Sequence, residues 1–157
     1  MEACVYPGSF DPITKGHLDI IERAGVIFST VYVGVLNNIS KRCMFSVEKR
    51  VEMVKAATRH IKNIQVVSFD GLLVDLLKTL DARVIIRGLR TGTDLELEQQ
   101  YAFINGKLLE GTETLALLSR PETHYISSTA VRELLAFHAD VSDYVPEAIL
   151  SMIDKGE

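Results

Sequence analysis

The chain has 157 residues, 47% of them hydrophobic and 24% charged, with a formal net charge of −4. That length suits one domain, residues 1–157, with a core of ordinary size, and the negative balance excludes a global basic field for nucleic acid or anionic membrane. Any bound anion must therefore meet a local cluster of basic groups.

The longest apolar runs are too short to span a bilayer. No secretory signal is visible, because Pro7 and Gly8 interrupt the run from Ala3 to Tyr6. Cys4 and Cys43 are too few and too isolated for a disulfide framework or a zinc site. These features predict a soluble, cytoplasmic protein that engages neither membrane nor nucleic acid.

Ala3 to Tyr6 reads as the first strand, apolar on both faces as a covered parallel strand should be. The loop from Tyr6 to His17 follows and opens a helix whose stripe is Leu18, Ile21, Ala24, Ile27 and Phe28. Gly8 and Gly16 have no Cβ, so backbone and phosphate can approach closely there. The helix N-terminus behind them offers unpaired N–H groups and a positive dipole end. His17 falls in that first turn, where protonation is disfavoured and a neutral imidazole can donate an N–H to a phosphoryl oxygen. The loop is not a P-loop, since Lys15 precedes Gly16 rather than Ser or Thr, and no G-x-G-x-x-G is present. Alone, Gly16-His17 reads as a tight turn with a surface histidine. Two glycines and two prolines between a buried strand and a helix favour the phosphate reading.

Val31 to Leu36 forms the second strand, followed by Asn37 to Phe45, where a lone Lys41 reads as solvated. Ser46 caps a second helix with Val47, Val51, Val54 and Ala57 inward. Ile64 to Phe69 is the third strand and Leu72 to Leu80 the third helix. The fourth strand, Val84 to Ile86, runs into Arg87-Gly88-Leu89-Arg90. Two arginines at a strand's carboxyl end call for anions, supplied either by a ligand or by Asp94 and Glu96. Asp94 to Leu109 makes the fourth helix, with Glu98 on its polar face, where glutamates are usually solvated. Leu115 to Leu118 is the fifth strand. The hydroxyls of Ser127, Ser128 and Thr129 read as N-caps of a fifth helix ending near His138, and turn donors toward phosphates as well. Pro146 starts a last short helix. His60 and His138 fall near helix ends and read as dipole partners.

Strand–helix alternation of this kind predicts an α/β fold, a doubly wound five-stranded parallel sheet of Rossmann-like type. In such sheets ligands bind beyond the carboxyl ends of the strands.

Gly8-Ser9-Phe10-Asp11-Pro12 followed by Thr14-Lys15-Gly16-His17 resembles the signature of the nucleotidyltransferase superfamily that shares a core with class I aminoacyl-tRNA synthetases. Thr14, Ile86 to Arg90, and Ile126 to Thr129 are similar to the phosphopantetheine adenylyltransferases. That resemblance implies transfer of AMP from ATP to 4′-phosphopantetheine, giving dephospho-coenzyme A and pyrophosphate without a covalent intermediate. It implies catalytic roles for His17, Lys41 and Arg90. It places Ser9, Phe10, His17, Gly88, Leu89, Arg90, Glu98 and the segment Thr123, His124, Tyr125, Ile126, Ser127, Ser128 and Thr129 on ATP. His124 matches no family position that would make it catalytic. Ser9, Lys41, Leu73 and Arg87 are implied on the acceptor. No dedicated metal cage is expected, so Mg2+ should arrive with ATP. The resemblance further implies a homohexamer and coenzyme A as a feedback inhibitor. The alternatives are an adenylyl- or cytidylyltransferase with another acceptor, or a non-catalytic nucleotide-binding module.

Overall fold

The computed structural model describes residues 3–37 and 42–153. In chain order the elements are β1 (Ala3–Gly8), α1 (Lys15–Ile27), β2 (Thr30–Leu36), α2 (Val47–Thr58), β3 (Ile64–Phe69), α3 (Leu73–Thr79), β4 (Val84–Leu89), α4 (Gly92–Leu108), β5 (Glu113–Leu118), α5 (Ser128–Ala136) and α6 (Leu150–Ile153). A 3-10 turn, Glu147–Ile149, leads into α6 with Pro146 at its cap. The helix starts follow local side-chain chemistry. Thr14, Ser46 and Ser127 each accept a backbone N–H three residues on, from His17, Lys49 and Ala130.

The five strands are all parallel, in the order β3-β2-β1-β4-β5. The chain winds outward from β1 to β3, then returns to the other side of β1 for β4. The loops leaving β1 and β4 therefore part in opposite directions and open a crevice between them, the place where such sheets take ligands.

Side chains alternate across each strand, so the sheet has two cores. Cys4, Tyr6, Val31, Val33 and Ile86 pack with Ile20, Ile21 and Ala24 of α1, Met53 and Val54 of α2, Val131 of α5 and the C-terminal Val145 and Ile149. Val5 and Ile85 pack on the opposite face with Val74, Leu76 and Leu77 of α3.

Several element ends lie beyond the sequence expectation. β1 and β4 run on to Gly8 and Leu89, because parallel pairing with β2 and β5 continues there regardless of side-chain polarity. β4 thus carries Arg87 within the sheet. α2 turns a charge inward: Arg50 is 1% exposed, while Val47 and Val51 are only half-buried. α4 has no buried residue, and Leu95, Leu97, Tyr101, Phe103, Ile104 and Leu108 are all exposed. His60 lies two residues past the end of α2 and also meets Glu22 of α1 at 2.9 Å.

Ile21 is fully buried between α1 and the sheet. Ile21→Ala should lower unfolding stability by about 2–5 kcal/mol in urea denaturation, against about 1 kcal/mol for the exposed cap change Ser46→Ala. Equal losses would contradict this placement of the core.

Candidate active site

Three strand ends converge on the N-terminus of α1. The β1 loop passes through Phe10, whose φ of 47° is a left-handed value that a bulky residue adopts only when its surroundings hold it there. Those surroundings are visible: the Phe10 ring is 1% exposed, lies edge-on to His17 at 5.0 Å and contacts Tyr6 at 5.5 Å. Phe10 thus forms the floor beneath the imidazole.

His17 occupies the third position of α1 in a reciprocal cap. Thr14 Oγ1 accepts the His17 N–H at 3.3 Å, and His17 Nδ1 accepts the Thr14 N–H at 3.1 Å. Nδ1 is therefore the unprotonated nitrogen, and Nε2 carries the hydrogen. Nε2 has no hydrogen-bond partner among the described residues. Burial, together with the nearby positive charges of Arg90 and Arg87, lowers the imidazole pKa from 6.5 to about 4. The side chain is thus a fixed, neutral donor.

The helix N-terminus is open beside it. The Lys15 N–H is taken by Tyr144 O at 2.9 Å and that of His17 by Thr14, whereas the Gly16 N–H meets no acceptor among the described residues. A Cβ at Gly16 would stand 3.5 Å from Thr123 O, an ordinary contact that shows how near the loop before α5 lies to the helix start.

Arg87 and Arg90 line the β4 side. Arg87 Nη1 donates to Pro7 O at 2.9 Å and Nη2 to Glu98 Oε1 at 2.5 Å. Two of its five N–H groups are thereby used and the rest stay available. Arg90 pairs with Asp94 at 3.2 Å and reaches Ile126 O at 3.5 Å, tying β4 to the start of α5. Burial works against ionised Asp94, but its hydrogen bonds from Arg90 outweigh that and keep its carboxyl below the ordinary range. Of the carboxylates expected for these arginines, Asp94 serves, while Glu98 takes the place open to Glu96. A Cβ at Gly88 would lie 3.0 Å from Ile20 Cγ1, so glycine lets α1 pack closely against β4. Leu89 is buried beside it.

On α5, Ser127 is the N-cap, Ser128 Oγ donates to Pro12 O at 2.8 Å, and Thr129 Oγ1 accepts from Arg132 at 3.2 Å. Ile126 is buried; Thr123 is half-buried; His124 and Tyr125 are exposed, and the Nδ1 of His124 turns back on Pro121 O at 2.8 Å. Ser9 is exposed at the crevice, and Leu73 opens α3 half-buried. Lys41 lies outside the described residues. Sequence reasoning missed Arg50, which holds Ser9 O at 2.6 Å, and the anchoring work of Asp11 and Arg132. The readable sign was Arg50 itself, three residues after Val47 on the inward stripe.

A five-stranded parallel sheet with a glycine-lined helix N-terminus and a neutral histidine at its switch point defines a nucleotidyltransferase-type α/β protein. The cytidylyltransferase-like family model matches residues 5–134. The chain is 48% identical over 153 residues to a phosphopantetheine adenylyltransferase of Clostridium beijerinckii, covering 98% of this chain and 96% of that one. It is 48% identical to the enzyme of the same name from Heliobacterium modesticaldum, covering 96% and 90%. A crystal structure assigned as a nicotinate-nucleotide adenylyltransferase from Vibrio parahaemolyticus superposes with a TM-score of 0.76 at 18% identity, over 98% of this chain and 99% of that one, a likeness of fold. The chain belongs to the cytidylyltransferase-like family and, within it, to the phosphopantetheine adenylyltransferases.

A depressed imidazole pKa means the unfolded chain takes up the proton first. Between the ordinary 6.5 and the folded value of about 4, stability contributed by neutral His17 is therefore lost as pH falls, and it is fully present above that window. NMR titration should show His17 neutral, as the Nε2–H tautomer, down to about pH 4. A midpoint near 6.5 would contradict the geometry.

Proposed function

We propose that the chain transfers AMP from ATP to 4′-phosphopantetheine. A phosphate oxygen of the acceptor attacks the α-phosphorus, the bond between the α-phosphorus and the bridging oxygen breaks, and dephospho-coenzyme A and pyrophosphate result. The observation that carries this reading is the neutral His17, with Nδ1 committed to Thr14 and Nε2–H open beside the free Gly16 N–H. A fixed donor acts most where negative charge develops, so it lowers the barrier more than it tightens ground-state binding.

In this reading Arg90 joins His17 around the ATP phosphates, with Ser9, Phe10, Gly88, Leu89, Glu98 and Thr123 to Thr129 holding the nucleotide. Arg87, with Lys41, Ser9 and Leu73, holds the acceptor; planar guanidinium forks suit phosphate oxygens. In this reading transfer is direct, and Cys4 offers no nucleophile for a covalent route: it is buried in the core, and burial pushes its thiol up to about 12. Among the described residues no three His, Cys, Asp or Glu side chains converge on one point. On the same reading Mg2+ would arrive with ATP and, when bound, would supply positive charge against the developing phosphate charge. Coenzyme A, which combines the adenylate and the pantetheine arm, should compete at the same crevice as a feedback inhibitor. No helix among the described residues is long and apolar enough to cross a membrane, and a cytoplasmic location is part of the same reading.

Assembly belongs to this proposal too. α4 exposes Leu95, Tyr101, Phe103 and Ile104, and the edge strand β5 exposes Leu115 and Leu118, a surface suited to further copies of the chain. A homohexamer is expected, and sedimentation showing a monomer at micromolar concentration would refute it.

Incubation with ATP, Mg2+ and 4′-phosphopantetheine should yield a product with the mass of dephospho-coenzyme A. His17→Ala should lower kcat by about 10²–10³ while KM for ATP stays within a few fold. A folded Ala variant with normal turnover would remove His17 from the chemistry.

A further inference from the structure

Arg50 is the most deeply buried charge in the described chain, 1% exposed on the inward side of α2. A buried guanidinium is costly unless its N–H groups are met. Among the described residues no carboxylate stands within ion-pair distance of it. Its partners are backbone carbonyls: Nη1 donates to Ser9 O at 2.6 Å and to Leu36 O at 2.9 Å, and Nε to Phe45 O at 3.2 Å. These belong to the loop after β1, the last residue of β2 and the residue preceding the α2 cap.

Asp11 works on the same segment from the other side. It is 3% exposed, its Oδ2 accepts the Met44 N–H at 2.8 Å and its Oδ1 the Phe45 N–H at 2.9 Å. Phe45 is thus gripped at its N–H by a carboxylate of the β1 loop and at its C=O by the arginine that also grips Ser9. A leucine or methionine in place of Arg50 would leave these carbonyls without their donor and would not fix the distances between them. The rigid guanidinium fork does.

We propose that Arg50 and Asp11 are positioning residues that set the spacing between the nucleotide loop, residues 9–17, and the segment of residues 42–45 that leads into α2 on the acceptor side. This rests on the two-substrate reading above. Direct transfer between two bound substrates depends on their relative placement, and a misplacement of about 1 Å costs about a hundredfold in rate. Neither side chain needs to touch a substrate to have that effect.

The test compares Arg50→Lys and Asp11→Asn with the full-length parent protein. Arg50→Lys keeps the charge and loses the fork; Asp11→Asn keeps the shape and loses one acceptor. Each folded variant should lose roughly 10- to 100-fold in kcat, with the Kd for ATP alone within about threefold by calorimetry. The amides of Met44 and Phe45 should exchange hydrogen at least about tenfold faster, with β1 and β2 amides unchanged. Unchanged kcat in a folded variant overturns the proposal. So does an equal loss of ATP affinity, or faster exchange spread evenly over the sheet, which would mean a merely structural role. Should Arg50→Lys fail to fold, Asp11→Asn decides by the same criteria. If the parent protein makes no dephospho-coenzyme A, the proposed reaction fails separately, and the Met44 and Phe45 amides still judge the clamp.

Discussion

The reciprocal bond between Thr14 and His17 is the interaction on which the site depends. It starts α1, since each partner satisfies a backbone N–H of the other. It also sets the imidazole tautomer, because Nδ1 can accept from Thr14 only while unprotonated. Protonation there would break half of the cap and destabilise the helix start, so helix formation and the neutral histidine reinforce each other. The low pKa of His17 then has a mechanical counterpart in addition to burial and the two arginines. Replacing Thr14 would disturb tautomer, ring direction and helix entry together, although its own side chain is 1% exposed.

The arginines around this cap are prepared rather than free. Arg87 holds Glu98, and Arg90 holds Asp94. These partly exposed pairs contribute little net stability, but they keep two long side chains in one orientation at the crevice. In the proposed reaction an incoming phosphate would find forks with N–H groups to spare and little ordering left to do, which is the physical content of preorganisation.

The sequence made the β1 loop legible because its chemistry is local: glycines, prolines, a threonine cap and a histidine three residues later. The alternation of strands and helices and the capping roles of Ser46 and Ser127 follow from patterns of the same short range; the order of the strands does not. Arg87 with Glu98 was harder, since eleven positions and a turn between strand and helix separate the partners. Arg50 was out of reach as a functional residue, because its acceptors are carbonyls of Ser9, Leu36 and Phe45. Backbone acceptors leave no mark in residue identity. The arginine on an apolar stripe could show that something buried awaited it, not what. α4 has no buried residue, and its leucines and aromatics stay exposed.

The charges around the crevice bear on the anion site proposed for this chain of net charge −4. Arg87, Arg90 and Arg132 each stand against a carboxylate, Glu98, Asp94 and Asp11 respectively, the last at 3.8 Å. His17 is neutral. Among the described residues Arg50 has no carboxylate within ion-pair distance, and neither has Lys15 at the start of α1. The field of Arg50 arises in a low-dielectric interior where salt screens little, and it lies directly under Ser9 through the 2.6 Å bond. A surface lysine would attract phosphate in a way that ionic strength erodes. A buried guanidinium beneath the loop keeps its attraction, and its position is fixed by the same carbonyls that shape the site.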